Sequence, residues 1–297
     1  KMKFDGKSRT WSNIEFCELL DNSERIQASF DYIEDKDKGF NGDLFPLSSS
    51  EYKQVGKDDY QVLKRLLLGE DIAKNQPSLF ELYDFSIIPI EFISNVYEMF
   101  IGKDNQKEEG AYYTPLFLVD YILKETVEKH LSNTSKLNVR INEVLSNKYG
   151  NYSYCKVLDP ACGSGIFLVE TLRKIIEKYI EDTGIKVKDE KFKTAIKNLA
   201  KENIYGVDKD LSAVQVAVFS IYLTLLDYLE PPAIETFKFP ILFNENFFEA
   251  DFFDANATFN NQLNDIEFDF ILGNPPWKGN GMNELGKSYL KNRKNNE

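Results

Sequence analysis

Val157-Leu158-Asp159-Pro160-Ala161-Cys162-Gly163-Ser164-Gly165 is the stretch from which the rest of the chain can be read. Tyr154 to Leu158 reads as a short buried strand, and Ile166 to Ile180 carries apolar residues at helical spacing. The glycines therefore occupy a strand-to-helix turn, the context in which such a loop acquires meaning. Gly163 and Gly165 take side chains away where backbone must come close to a ligand, although a plain tight turn would use the same residues. A dinucleotide loop would continue as G-x-G-x-x-G, and position 168 is Leu. Asp159-Pro160-Ala161-Cys162 ahead of the glycines favours a binding loop.

Outward from that loop, strands and helices alternate. An extra helix is expected around Phe192 to Ala200, a second strand at Ile204 to Val207, a long apolar helix from Leu211 to Leu229, and a third strand at Phe268 to Leu272. This alternation predicts an α/β fold, a parallel sheet wrapped by helices. Asp208 closes the second strand, where a carboxylate can accept from both ribose hydroxyls of a nucleoside. It could equally cap the next helix, with Lys209 and Asp210 as solvated turn residues. Asn246 to Phe253 is a third element: Asp251 could accept from an adenine amino group while Phe252 packs on its ring, or the stretch is a loop whose phenylalanines plug the core. Asn274-Pro275-Pro276-Trp277 ends the third strand. Its two prolines forbid further regular strand and stiffen the loop that holds Asn274. A strand-end Asn-Pro-Pro-aromatic has few purely structural reasons to exist.

Upstream, residues to about 50 read as polar and turn-rich, with Gly39 and Asn41-Gly42 as turn signals. Asp31, Glu34, Asp35 and Asp37 read as a solvated charge run. Helices are expected from Tyr60 to Leu68, stopped by Gly69, and from Pro89 to Ile101, stopped by Gly102, with a charged linker over 103–110. Thr114 can cap a helix with Pro115 in its first turn, the amphipathic pattern then running from Leu116 to Leu131. A polar loop follows to Asn151.

Composition narrows the class. A chain of 297 residues, 42% hydrophobic and 28% charged, can bury an ordinary soluble core. No apolar run approaches the roughly 18 residues of a membrane span. No apolar stretch follows the charges of Lys1 to Asp5 as a secretory signal would require, so the chain reads as cytoplasmic with no membrane partner. Cys17, Cys155 and Cys162 form no C-x-x-C, and no disulfide framework is expected. His130, the single histidine, reads as a helix-end residue, and no metal site is expected because zinc needs several N or S ligands. The net charge of −12 is awkward for a nucleic-acid enzyme. Either the basic surface is local or it belongs to a part of the protein beyond this chain. The basic stretch from Lys278 through Lys287, Lys291, Arg293 and Lys294 is too short for a DNA-reading domain.

In order, Tyr112-Tyr113-Thr114-Pro115, Asp159-Pro160-Ala161-Cys162-Gly163-Ser164-Gly165 and Asn274-Pro275-Pro276-Trp277 resemble the motifs of DNA amino-methyltransferases, specifically the N6-adenine group. Gly110 to Pro115 after a helical region is similar to the large modification subunits of type I systems and to fused type II restriction-modification enzymes of bacteria. Asn41-Gly42-Asp43-Leu44-Phe45 is loosely similar to a stretch upstream of their catalytic domain. The resemblance implies a Rossmann-like class I methyltransferase sheet over 109–297, incomplete at its C-terminus and lacking a target-recognition domain, after a mainly helical region over 1–108. It also implies S-adenosyl-L-methionine as cofactor. Tyr113, Thr114 and Pro115 would meet its methionine end. Asp159, Pro160, Ala161, Cys162, Gly163 and Gly165 would surround its amino and carboxylate groups. Asp208 would take the ribose hydroxyls, and Asp251 with Phe252 the adenine. Asn274 and the Pro275 carbonyl would accept the two N6 hydrogens of an extruded adenine, with Pro276 stiffening the corner and Trp277 stacking on the base.

Double-stranded DNA is the implied partner, with a specificity or nuclease subunit or domain beside it. The chain ends about twenty residues past Trp277, in what reads as a polar Lys/Asn tail, and the first hundred residues hold no P-D…E-x-K nuclease constellation. Two other readings stand. Asn-Pro-Pro-aromatic also suits a protein glutamine or an RNA base, and a cofactor-binding fragment could lack catalysis.

Overall fold

The computed structural model describes residues 2–4, 9–11, 16–35, 54–67, 114–133, 152–234, 236–275 and 284–296. The turn at Asn41-Gly42, the helix from Pro89 to Ile101, the linker 103–110, Tyr113, Pro276 and Trp277 lie outside them. The chain divides into two units, one of Lys1–Pro89 with Glu235–Phe239, the other of Ile90–Ile234 with Pro240–Glu297. The three cysteines are free.

In the first unit an antiparallel pair, β1 (Met2–Phe4) and β2 (Arg9–Trp11), sets Met2 opposite Trp11. Helix α1 spans Ser23–Glu34. Its start is fixed by the Asn22 side chain, which accepts from the Arg25 N–H at 3.1 Å. The polar reading of this region is thereby corrected, since Asp31 and Glu34 lie in a helix rather than a loop. A good cap and the buried Ile26 and Tyr32 carry it without a broad apolar stripe. Helix α2 (Lys57–Leu67) begins ahead of its apolar pattern at Tyr60. Asp59 reaches back to the Gly56 N–H at 2.7 Å and closes a polar first turn.

The second unit holds a parallel sheet. Helix α3 (Leu116–Leu123) continues through a wider π-helical stretch, Lys124–Glu128, to residue 133. Val119, Leu123, Val127 and Leu131 line its buried side, each worth about 1.5–3 kcal/mol if fully withdrawn from water. Strand β3 (Val157–Asp159) leads into α4 (Ile166–Thr183), α5 (Glu190–Asn203), β4 (Ile204–Asp208) and α6 (Leu211–Asp227). Then follow β5 (Phe247–Glu249), α7 (Thr258–Leu263) and β6 (Phe270–Ile271). Last comes α8 (Glu284–Asn296), within the stretch that reads as a polar Lys/Asn tail. A polar helix has no apolar period to betray it.

The strands run parallel in the order β5-β4-β3-β6. Counted from β3, that order is 3-2-1-4, half of a doubly wound Rossmann-like sheet. Strand β5 decides against the loop alternative for Phe247 to Glu249. Two adjacent phenylalanines, one to each face, show neither alternation nor a long apolar run. Right-handed crossovers put α4 and α6 on one face and α7 on the other. On the α7 face Leu158, Tyr205, Val207 and Phe248 pack with Phe259 and Leu263. Leu158 pairs with Tyr205, and Val207 with Phe248, as the two-residue period of strands requires.

At the amino end of the sheet, polar groups serve as ties. Asn203 Oδ1 accepts from the N–H groups of Tyr154 at 2.7 Å and Cys155 at 2.8 Å. Its Nδ2 donates to the carbonyls of Tyr152 and Leu199, both at 2.7 Å. The Asn246 amide donates to Lys201 at 2.8 Å and Ile204 at 2.9 Å. Heteroatoms of His130, Cys155 and Asp269 lie within 4.8 Å of one another. Sequence spacing hides this trio because its members come from a helix and two different strand approaches. Burial, with the Asp269 carboxylate adding to it, pushes the Cys155 thiol up to about 12.

Candidate active site

Parallel strands put all their carboxyl ends on one edge, and the switch point of a 3-2-1-4 sheet lies between its first and fourth strands. Here that is the gap between β3 and β6. Asp159 ends one of them, and Gly273-Asn274-Pro275 follows the other. Gly273 runs so close to the glycine loop that a side-chain carbon on it would lie 2.4 Å from Asp159 Oδ1 and 3.4 Å from Pro160 Cδ. Beyond it, Asn274 Nδ2 donates to Thr114 Oγ1 at 3.2 Å. Three motifs far apart in sequence therefore share one corner.

The loop itself is built on backbone bonds. Cys162 N–H donates across to the Val207 carbonyl at 3.0 Å, and Gly165 N–H to the Cys162 carbonyl at 2.8 Å. Asp159 Oδ1 accepts from the Ala161 N–H at 3.1 Å. The Cys162 sulfur is buried, 3.0 Å from where a Gly206 side chain would begin, and burial holds its thiol well above the ordinary value. The two loop glycines, both at positive φ, do different work. A side chain on Gly165 would strike Ala217 Cβ at 2.9 Å, so this glycine lets α4 start against α6. A side chain on Gly163 would meet nothing within 4 Å. Its missing side chain opens onto space at the strand ends.

Asp208 does not cap α6. Asp210 does, accepting from the Ser212 N–H at 2.9 Å, which corrects the reading of Asp210 as a solvated turn residue. Asp208 Oδ2 instead accepts from the Gly163 N–H at 2.9 Å, and Oδ1 from the Asp210 N–H at 3.0 Å. Each carboxylate oxygen has two lone-pair directions, so both can take a further donor. The Asp208 carbonyl accepts from Ala250 N–H at 2.8 Å, bringing the next residue, Asp251, to the same edge. Asp251 Oδ1 accepts from the Phe253 N–H at 2.9 Å. Phe252 stacks on Phe259 with centroids 5.8 Å apart and planes 12° apart. That contact uses one face of the ring.

Electrostatically the edge favours a cation. Asp159 is 2% exposed. Burial pushes its carboxyl up to about 7, the Ala161 N–H opposing and the Asp208 charge adding to the rise. Asp208 is raised too, by burial, with the Asp210 and Gly163 N–H groups pulling it back. A positively charged ligand would favour the ionised form of both. Thr114 was expected to cap α3. Pro115 holds the cap position, with no side-chain cap bond, and the Thr114 hydroxyl goes to Asn274.

Residues 202–297 match the Eco57I restriction-modification methylase family. Over 248 residues the chain is 26% identical to the type II restriction enzyme and methyltransferase RM.Eco57I of Escherichia coli. That stretch is 70% of this chain and 23% of the Escherichia coli protein. RM.MjaORFECS2P of Methanocaldococcus jannaschii is 29% identical over 177 residues, 49% of this chain and 15% of that protein. The chain thus spans less than a quarter of the length of either restriction-modification relative. A solved DrdV–DNA complex aligns with 95% of this chain and 24% of its own, at 16% identity and a TM-score of 0.44. The methylase match takes in Asp208, Asp251, Phe252 and Asn274 and leaves the glycine loop outside it. Among the described residues no helix is long and apolar enough to cross a membrane.

Proposed function

We propose that this chain carries the catalytic site of a DNA methyltransferase that uses S-adenosylmethionine to methylate N6 of adenine in a restriction-modification system. The observation that carries the reading is the Asn274–Thr114 hydrogen bond beside the Gly273–Asp159 contact, which joins a target-base motif to a cofactor loop.

The residues fit the cofactor. Gly163 opens onto free space at the strand ends, and Asp208 keeps acceptor capacity for two ribose hydroxyls. Asp159, Ala161 and Gly163 would hold the amino-acid end, Asp251 and Phe252 the adenine. When bound, S-adenosylmethionine supplies an electrophilic methyl group on a positively charged sulfur.

The residues of this chain do the rest by placement. An adenine N6 lone pair is delocalised into the ring and attacks poorly. Asn274 Oδ1 and the Pro275 carbonyl, accepting the two N6 hydrogens, would draw that nitrogen toward tetrahedral geometry. No strong base is required, because the proton leaves after the new N–C bond forms. Fixed acceptors and orientation supply the rate enhancement. The base must leave the helix to reach this corner, and Trp277 would stack on it for about 1–3 kcal/mol. Double-stranded DNA is the substrate that this reading assigns.

Nucleoside mass spectrometry of DNA incubated with the complete protein and S-adenosylmethionine tests this. N6-methyladenine is the expected product. Methylated cytosine, or methyl transfer to protein glutamine or RNA with adenine untouched, would overturn it.

A further inference from the structure

We propose that His130, Cys155 and Asp269 form a zinc site at the amino end of the sheet, which ties the helix begun by α3 to the approaches of β3 and β6. The inference is independent of the function proposed above, and it concerns the opposite end of the strands.

The single histidine has no ligand partner near it in sequence, but the fold brings it two. His130 stands near the end of the helical run that starts at α3, Cys155 just ahead of β3, and Asp269 immediately before β6. Their heteroatoms lie within 4.8 Å of one another. His130 Nε2 is 3.7 Å from Asp269 Oδ1, beyond hydrogen-bond length. That spacing suits two ligands of one metal. Zinc bound tetrahedrally at about 2.0–2.2 Å from nitrogen and oxygen, and about 2.3 Å from sulfur, sets its ligands about 3.3–3.5 Å apart. Small side-chain rotations close the remainder.

The backbone beneath the ligands is already fixed. Cys155 N–H donates to Asn203 Oδ1 at 2.8 Å. Lys156 N–H donates to Asp269 Oδ2 at 2.8 Å, and Asp269 N–H donates to the Lys156 carbonyl at 2.9 Å. The residue after the cysteine is thus bound twice to the aspartate. The bond to Oδ2 also sets the carboxylate with Oδ1 toward His130. The His130 ring stands edge-on to Phe270, with centroids 5.6 Å and planes 83° apart. Contacts that orient the ligands matter to a metal site nearly as much as the ligands.

The donor set chooses the ion. Nitrogen, sulfur and oxygen together suit zinc, whereas calcium and magnesium take oxygen. As the zinc–sulfur bond forms, the Cys155 thiol gives its proton to solvent, and thiolate and carboxylate together balance the two charges of the ion. Without a cation, burial and the Asp269 charge hold that proton on the sulfur; a coordinated divalent ion outweighs both. Cys155 is fully buried while His130 and Asp269 are partly exposed, so the ion has a way in. Water takes the fourth position.

Calorimetric titration of zinc chloride into the chelator-treated, dialysed complete protein, with thermal unfolding alongside, tests the site. A zinc equivalent should bind and raise Tm by about 5 °C or more at a zinc concentration about 100-fold above Kd. His130→Gln and Asp269→Asn should each weaken that binding at least about tenfold, since loss of a contact that merely orients a ligand costs as much. Cobalt(II) in place of zinc should give thiolate-to-metal charge-transfer absorption that Cys155→Ser abolishes. No zinc-dependent rise in Tm, no thiolate absorption with cobalt, or unchanged zinc affinity in His130→Gln would each overturn the proposal. Should Cys155→Ser fail to fold, His130→Gln, at a partly exposed position, still decides.

Discussion

The two ends of the sheet bury polar groups to opposite purposes. At the amino end Asn203 makes four hydrogen bonds to backbone, and nothing about it awaits a ligand. At the carboxyl end Asp159 is as deeply buried, but its one charge sits with another carboxylate, Asp208, close enough to raise it. Burying a polar group fully satisfied by the protein stabilises the fold, while burying like charges without a counter-charge opposes it. A fold keeps the second arrangement where a ligand completes it. Under the proposed function, Asn203 belongs to the scaffold and Asp159 to the site.

Substitutions at the two ends should fail in different ways. The largest effect is expected for Asn274→Ala in the complete protein: methylation falls about 10²–10³-fold, as for other lost preorganised contacts, with cofactor affinity nearly unchanged by calorimetry. Asn203→Ala should leave catalysis by the folded fraction intact and reduce stability by ~2–4 kcal/mol in urea unfolding, because buried N–H groups lose their acceptor. Asp208→Ala should weaken S-adenosylmethionine binding about 10–100-fold through loss of charge-assisted bonds, and lower kcat at saturating cofactor little. Equal loss of binding and turnover in Asn274→Ala and Asp208→Ala would break the division between them.

The smallest effect carries a sign. Folded, Asp159 holds its proton up to about pH 7, against an ordinary 3.8. The unfolded chain releases that proton earlier, so Asp159 makes stability fall as pH rises from about 4 to about 7. Asp159→Asn should therefore stabilise the ligand-free protein at pH 8 by on the order of 1–2 kcal/mol, with the gain shrinking toward pH 4. Thermal unfolding at both pH values reads this directly. A destabilised variant at pH 8 would mean that Asp159 is a structural group like Asn203.

Much of this was legible because the glycine loop and the double-proline corner are local chemistry, written in adjacent residues. Helices α3, α4 and α6 announced themselves by apolar period, and their bounds moved by only a few residues. What stayed hidden depended on partners distant in the chain. Thr114 looks like a helix cap from its neighbours alone; its hydroxyl goes to a residue 160 positions away. Asn203 bonds only to backbone atoms, so no residue pattern marks it. Gly163 and Gly165 look alike in sequence and separate only when Ala217 is seen behind one of them. Strand β5 was missed because three residues cannot show a period.

Hydrogen exchange of the complete protein with and without S-adenosylmethionine tests the claim most directly. Slower exchange on cofactor addition at 159–165, 206–210 and 248–253, with 152–156 and 199–204 unchanged, is the predicted result. Protection concentrated around Asn203 and Cys155, or none at the carboxyl ends of the strands, would contradict it.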